Sequence, residues 1–284
     1  MSDSWWTSII NFEDYGRLLA LLVNSVLAAG LVGLVGGVIG VFVIQRDMAF
    51  AVHGISEMSF SGAAAALLFG WDVVAGSIAG AVVASLAIGI LGAKARARNS
   101  VIGVLMPFGL GLGILFLALY PGRSANKFGL LTGQIVAVDD PQLGWLAAIS
   151  VIVIVALLVI WRPLSFDSVD AEVAAARGVP TRTLNIVFML LLACVVAASV
   201  QIIGALLVLA LLITPAAAAS QLTSHPIALP LLSVLFGLIS SVGGTMIALG
   251  GSLPISPYIT TISFVIFLIC RFSRYRRHRE LVER

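Results

Sequence analysis

The chain has 284 residues, of which 60% are apolar and 10% are charged, and its formal net charge is +3. A water-soluble domain carries about 25% charged residues, so this composition excludes an ordinary soluble fold. One membrane span needs about 20 apolar residues, so the chain has material for about eight or nine transmembrane helices and for no sizeable soluble domain. We therefore predict an all-α integral membrane protein, a polytopic bundle formed by a single transmembrane domain over residues 1–284.

Apolar runs bounded by charges, prolines or glycines predict the individual spans. The long run from Leu184 to Ser220 exceeds one crossing, and we divide it at Gln201–Gly204, where a polar side chain and a glycine permit a tight turn. The predicted spans lie near residues 18–44, 48–69, 73–93, 100–120, 143–161, 184–200, 203–220, 228–249 and 257–271.

The basic residues predict the orientation, because Lys and Arg collect on the cytoplasmic side of a membrane protein. With the C-terminus inside, thirteen Lys and Arg residues lie on the inner side and three on the outer side. Six of the thirteen are arginines of the basic tail, residues 271–284. We therefore predict an outer N-terminus and a cytoplasmic tail. A basic tail directly after a membrane span indicates contact with the lipid bilayer and not with nucleic acid.

The inner segment over residues 163–182 changes composition abruptly. Acidic residues precede the alanine-rich stretch Ala171–Ala176, and Gly178 and Pro180 follow it. This order predicts a short capped helix with a stop. Such a helix on the cytoplasmic rim is either a contact for a soluble partner or a solvated linker, and composition leaves both open.

His53 and Glu57 are the only histidine and acidic residue inside the predicted spans. An ionisable group at membrane depth is costly and marks a functional site by default. Four residues apart, the two side chains share one helix face, with Glu57 ~16 Å along the axis from Arg46. An imidazole beside a carboxylate suits a divalent transition metal, a proton relay, or a hydrogen-bonded pair that only holds helices together.

Several catalytic motifs are absent from the chain. It has no G-x-x-x-x-G-K-[ST] loop, no Gly-rich dinucleotide fingerprint, no H-E-x-x-H and no G-x-S-x-G. If transport by this protein is driven by ATP, the ATPase must therefore be a separate chain, and the protein itself is not an enzyme.

Four stretches of the chain together resemble the zinc, manganese and iron permease subunits of bacterial ABC importers. One departure concerns the pair: many members carry Asp and, four residues later, His, where this chain has His53 and Glu57, and Ser61 stands where Pro is common. The four stretches are GGVIGVFVIQRDMAFAVHGISEMSFSG from Gly36, FDSVDAEVAAARGVPTRTLN from Phe166, IIGALLVLALLITPAAAA from Ile202 and GGSLPISPY from Gly250.

The resemblance implies a permease of the bacterial plasma membrane that passes Mn, Zn or Fe along a dimer axis, past His53 and Glu57, and holds no tightly bound cofactor. It implies three kinds of protein partner: a second permease copy, two cytoplasmic ATPase subunits, and an extracytoplasmic metal-binding protein. It also implies that the inner segment is the coupling loop. The coupling residues would be Phe166, Asp167, Ala175, Arg177, Gly178, Val179, Pro180 and Arg182.

Two other functions compete with this interpretation. An autonomous proton-coupled secondary transporter of a small cation would protonate Glu57, but the two halves of the chain show no convincing inverted repeat. An intramembrane enzyme would use His53 and Glu57 as base and acid, but it would lack a nucleophile or a second cluster of ligands.

Overall fold

The chain is all-helical in the computed structural model, which describes residue 16 and residues 22–91, 95–122, 138–249 and 255–282. Within these ranges there is no strand, as the composition predicts. The helices are α1 (Val23–Gln45), α2 (Ala49–Phe69), α3 (Val73–Leu91), α4 (Ala95–Leu119), α5 (Asp140–Val169), α6 (Ala171–Ala176), α7 (Thr181–Ile203), α8 (Ala205–Leu222), α9 (Ala228–Leu249) and α10 (Ile255–Val282).

The long helices of the described ranges coincide with the predicted spans. Seven of them have the length and hydropathy to cross a membrane, and α8 contains a shorter apolar helix, Leu207–Leu222. α2 has 21 residues but is not among the seven. Its histidine, its glutamate and its serines lower its hydropathy, so the helix that carries the candidate site is not among the seven.

The predicted division of the long apolar run is confirmed. α7 ends at Ile203 and α8 begins at Ala205. Gly204 between them has a φ of 83°, a conformation that a residue with a side chain rarely adopts. Gln201 does not form the turn itself, because its amide nitrogen donates a hydrogen bond of 3.2 Å to the carbonyl of Val73.

Residue 163, where the predicted coupling loop begins, lies inside α5, which continues through Pro163 to Val169. A proline removes only one helical hydrogen bond, and packing compensates for that loss here. Leu164 and Asp167 are buried, and the Ser168 hydroxyl donates to the Leu164 carbonyl at 2.6 Å. The non-helical part of the predicted loop is therefore limited to Asp170 and the residues between α6 and α7.

Two compact units divide the chain, and the first comprises Met1–Val41, Ile135–Gly144 and Ala210–Arg284. Small residues bring its helices together: a Cβ at Gly33 of α1 would meet the Gly237 carbonyl oxygen of α9 at 2.8 Å. The Ser233 hydroxyl donates to the Gly37 carbonyl at 2.7 Å. Close approach through glycines is the usual way for helices to pack in lipid.

The second unit comprises Phe42–Gln134 and Trp145–Leu209, and α2 packs there against α3, α4 and α7. A Cβ at Gly62 of α2 would collide with the backbone of Gly76 on α3. The hydroxyls of Ser59 and Ser77 lie 2.7 Å apart between the same two helices. α2 and α3 are thus held together with almost no space between their backbones.

Some predictions fall outside the described residues. They concern the N-terminal segment, most of the outer segment between Pro121 and Gln142, and Gly250–Pro254. The basic tail is helical as far as Val282, since α10 continues beyond the predicted end of its span. The assignment of residues 1–284 to a single domain stays a prediction.

Candidate metal site and coupling segment

His53 and Glu57 lie one turn apart on α2, and their side chains meet as the sequence predicts. The His53 Nε2 atom is 3.8 Å from the Glu57 Oε1 atom. The Glu57 side chain is 5% exposed and that of His53 is 26% exposed. The pair is therefore nearly enclosed, and the imidazole is its more accessible member.

Each member of the pair keeps one buried polar atom without a hydrogen-bond partner. These atoms are Nδ1 of His53 and Oε2 of Glu57. Buried polar groups in proteins are nearly always paired, because an unpaired one loses its hydration without compensation. A structural pair would be expected to satisfy such atoms, whereas a site for a ligand leaves them free.

The walls around the pair come from close backbone packing. A Cβ at Gly109 of α4 would lie 3.0 Å from the Glu57 carbonyl carbon and 3.0 Å from the Met58 nitrogen. On another side of α2, the Ser56 hydroxyl donates to the Ala205 carbonyl at 3.0 Å. The backbone that carries Glu57 is thus fixed from two sides.

No group of three or more His, Cys, Asp or Glu residues comes together in the described part of this chain. A dehydrated transition metal needs about four ligands, so one pair holds at most half a coordination shell. The pair combines two metal-binding side-chain types and would give a metal ion two ligands.

The capped helix that the sequence predicts in the inner segment is α6, and it is confirmed. The Asp170 carboxylate accepts hydrogen bonds from the backbone nitrogens of Glu172 at 3.1 Å and Val173 at 3.0 Å. Beyond the helix, Gly178 has a φ of 83°. The chain therefore stops α6 by a left-handed glycine, as the Gly and Pro after the alanines indicate.

Most of the predicted coupling residues are on the surface around α6, but Asp167 is not. Its side chain is 2% exposed, and its Oδ2 atom accepts a hydrogen bond of 2.6 Å from Arg46. Val179 is half-buried. The exposed members of the set are Phe166, Ala175, Arg177, Gly178, Pro180 and Arg182.

Arg46, to which the sequence analysis gave no role beyond its charge and its position before Glu57, is the centre of a partly buried network. Its Nη2 atom donates to the Asn185 side-chain oxygen at 3.2 Å, and its Nη1 atom lies 3.4 Å from the Ser168 hydroxyl. The guanidinium also lies 5.4 Å from the ring centre of Phe188, a favourable cation–π contact. A charged residue directly before the polar helix α2 was the available sequence signal.

Comparison with known proteins assigns the chain to a family. The model of the ABC 3 transport family matches residues 19–274. The chain belongs to the ABC 3 transport family. The prediction from the four sequence stretches is thereby confirmed.

Two curated relatives of this ABC 3 family member are named as manganese transport proteins. The manganese transport system membrane protein MntC of Halalkalibacterium halodurans is 33% identical over 234 residues, which cover 82% of this chain and 80% of that protein. The manganese import system permease protein ScaB of Streptococcus parasanguinis is 29% identical and covers 93% of this chain and 94% of its own length.

Solved structures share the fold. The complex described as PsaBC from Streptococcus pneumoniae with Fab contains a chain that superposes with a TM-score of 0.82 at 27% identity, covering 91% of this chain and 95% of that one. An inward-facing putative metal-chelate type ABC transporter gives a TM-score of 0.72 at 17% identity, covering 94% and 93%, which shows a common fold. The all-α membrane architecture is therefore that of ABC transporter membrane subunits.

Proposed function

We propose that this ABC 3 family member is the membrane permease of an ATP-driven importer of a divalent transition metal, with Mn²⁺ as the first candidate. The observation that carries the proposal is the buried pair His53 and Glu57, each with an unpartnered polar atom inside α2. Imidazole and carboxylate without thiolate suit Mn, Zn or Fe. The names of the curated relatives favour manganese.

A second copy of the permease completes the proposed site. Two pairs facing each other across a two-fold axis along the membrane normal would supply two imidazoles and two carboxylates, about the number of ligands that a dehydrated metal requires. The metal would pass along that axis. The other half of the coordination shell that one chain lacks would thus come from its partner.

The energy for transport would come from two cytoplasmic ATPase subunits. We propose that they dock on α6 and the end of α5, where Phe166, Val169 and Val173 are exposed apolar residues. Apolar side chains exposed next to charged ones are typical of an interaction surface. An extracytoplasmic metal-binding protein would deliver the ion to the opposite side of the bacterial plasma membrane.

Co-purification tests the proposal against the proton-coupled carrier. An affinity-tagged permease purified from the cells that naturally produce it should bring down an ATPase chain. Mn²⁺ uptake into vesicles should then require ATP on the side of the membrane where the ATPase subunits dock. A carrier would be purified alone and would respond to a pH gradient. Uptake that follows the pH gradient without ATP would contradict the importer.

The proposed orientation places α6 in the cytoplasm and the segment after α4 outside. A cysteine at Ala176, which is exposed on α6, should not react with a membrane-impermeant thiol reagent in intact cells, whereas a cysteine at Ser124 should react. The background should lack Cys194 and Cys270, so that only the introduced thiol is labelled. Reaction at residue 176 and protection at residue 124 would reverse the topology and remove α6 from the ATPase side.

A further inference from the structure

The two functional parts of the second unit are connected by one buried side chain. Arg46 lies in the turn between α1 and α2, three residues before the first residue of the helix that carries His53 and Glu57. Its partner Asp167 lies at the end of α5, four residues before α6. The ion pair of 2.6 Å therefore joins the candidate metal helix to the candidate coupling segment.

The network around Arg46 binds two helices to the turn. The guanidinium reaches Asp167 and Ser168 on α5 and Asn185 on α7, so both helices that flank α6 are attached to the same side chain. Arg46 is 10% exposed, and charge-assisted hydrogen bonds at such depth are stronger than surface ones. A displacement of α6 relative to the rest of the unit would act on Arg46 from both sides.

The turn that carries Arg46 is closed tightly enough to pass a displacement on to α2. The Met48 nitrogen donates to the Val43 carbonyl at 2.8 Å, and Asp47 has a φ of 53°, which is unusual for a residue with a side chain. Arg98 of α4 lies 3.4 Å from the carbonyl oxygens of both Arg46 and Asp47. Such a turn has little freedom to absorb a movement.

Beyond the turn, α2 is expected to move together with α3. The backbone contact at Gly62 and Gly76 and the hydroxyl pair Ser59 and Ser77 hold the two helices together along the segment that follows the metal pair. Glu57 lies ~12 Å along α2 from its first residue. A small shift at Arg46 would therefore displace the ligands themselves.

The structure also leaves room for the network to rearrange. An open pocket of about 690 Å³ lies beside it, and Arg46, Asp167 and Asn185 are among its lining residues. Side chains that border an open pocket can move without displacing a packed interior, which the close glycine contacts of α2 and α3 do not allow. Nε of Arg46 and Oδ1 of Asp167 have no hydrogen-bond partner, so the network could form further hydrogen bonds in another arrangement.

We infer that Arg46, held by Asp167, is the positioning residue that transmits movement of the coupling segment α6 to the metal helix α2. This inference rests on the proposed function and adds to it the path within one permease. Removal of the ion pair then uncouples ATP hydrolysis from metal movement without removing the exposed docking surface or the metal ligands. A purely structural ion pair predicts instead that hydrolysis and uptake fall together.

The test uses the whole transporter, with permease and ATPase chains co-purified and reconstituted into vesicles, and measures Mn²⁺ uptake and ATP hydrolysis in the same sample. Asp167→Asn keeps the size of the side chain and removes its charge. We expect hydrolysis within about twofold of wild type and Mn²⁺ transported per ATP lowered by about tenfold. Asp140→Asn makes the same change at the exposed opposite end of α5 and should leave the ratio unchanged.

A second variant controls for misfolding. Arg46→Met combined with Asp167→Asn removes both charges, so no buried charge is left unpaired, and the protein should unfold thermally at or above the wild-type temperature. It should show the same loss of coupling. A ratio within about twofold of wild type in both variants overturns the inference, and so does failure of both to fold. A wild-type complex that hydrolyses ATP without moving Mn²⁺ would overturn the proposed function and the inference with it.

Discussion

Glu57→Gln and His53→Ala are each expected to abolish Mn²⁺ uptake while the permease remains folded and dimeric. In the proposed dimeric site each chain would contribute only two ligands, so the loss of one would leave the ion incompletely coordinated. Whole-cell uptake of Mn²⁺ and Zn²⁺ with expression checked by immunoblot measures the effect. Ser61→Ala, a buried serine one turn beyond Glu57, is the matched control and should keep wild-type uptake.

The stability of the same variants separates a metal site from a structural pair. A buried carboxylate with an unpartnered oxygen costs free energy of folding, and that cost is accepted only where the group has a function. Glu57→Gln should therefore leave the unfolding temperature of the purified permease unchanged or raise it. A clear decrease in that temperature, together with uptake retained by the protein that still folds, would make the pair a structural contact.

Linked dimers show whether both copies contribute to one site. Two permeases joined in a single polypeptide, with His53→Ala and Glu57→Ala in one half only, should transport nearly as poorly as the dimer altered in both halves. Independent sites in each copy would instead keep about half of the wild-type uptake, because one unaltered half would remain. Wild-type uptake by the dimer altered in both halves would show that the metal site is not on α2.

Gly178→Val is expected to remove ATPase association and metal uptake without a steric clash. Gly178 has a φ of 83° and no heavy atom within 4 Å of a Cβ built on it, so the only effect of a side chain there is backbone strain, about 1–2 kcal/mol. That strain favours another path for the chain between α6 and α7. Co-purification of the ATPase and Mn²⁺ uptake are the two measurements.

Gly70→Val is the matched control for this prediction. Gly70 has a φ of 72° and equally open surroundings, but it lies in the turn between α2 and α3. The local strain is therefore the same and only its position differs. ATPase association should be lost in Gly178→Val and kept in Gly70→Val. Equal association in both variants would make the segment around α6 a linker.

The parts of the fold that could be predicted from the sequence are those set by local chemistry. A run of apolar residues must span the membrane, Gly204 permits a break that few other residues allow, and Asp170 with Gly178 defines a helix start and stop over six residues. The contact between His53 and Glu57 could equally be predicted from the sequence, because residues i and i+4 meet on any helix.

The parts that sequence reasoning missed depend on contacts between distant segments. Pro163 ends a helix by local rules, yet α5 continues, and four residues beyond it Asp167 is held by Arg46, 121 positions earlier in the chain. The same contact buries Asp167, which the resemblance makes one of the coupling residues. No periodicity in the sequence reports a pairing over such a separation, so only the structure could identify the network around Arg46.

The two tryptophans of α5 are spaced along the helix by a distance that can be compared with the thickness of a membrane. Trp145 and Trp161 are separated by 16 positions, ~24 Å along the helix, and tryptophan favours the two interfaces of a bilayer. With Trp161 at the second interface, Val169 would lie ~12 Å beyond it. A thicker bilayer would draw the proposed ATPase docking surface towards the lipid and a thinner one would push it outwards, so membrane thickness would change how the ATPase subunits and the permease are aligned.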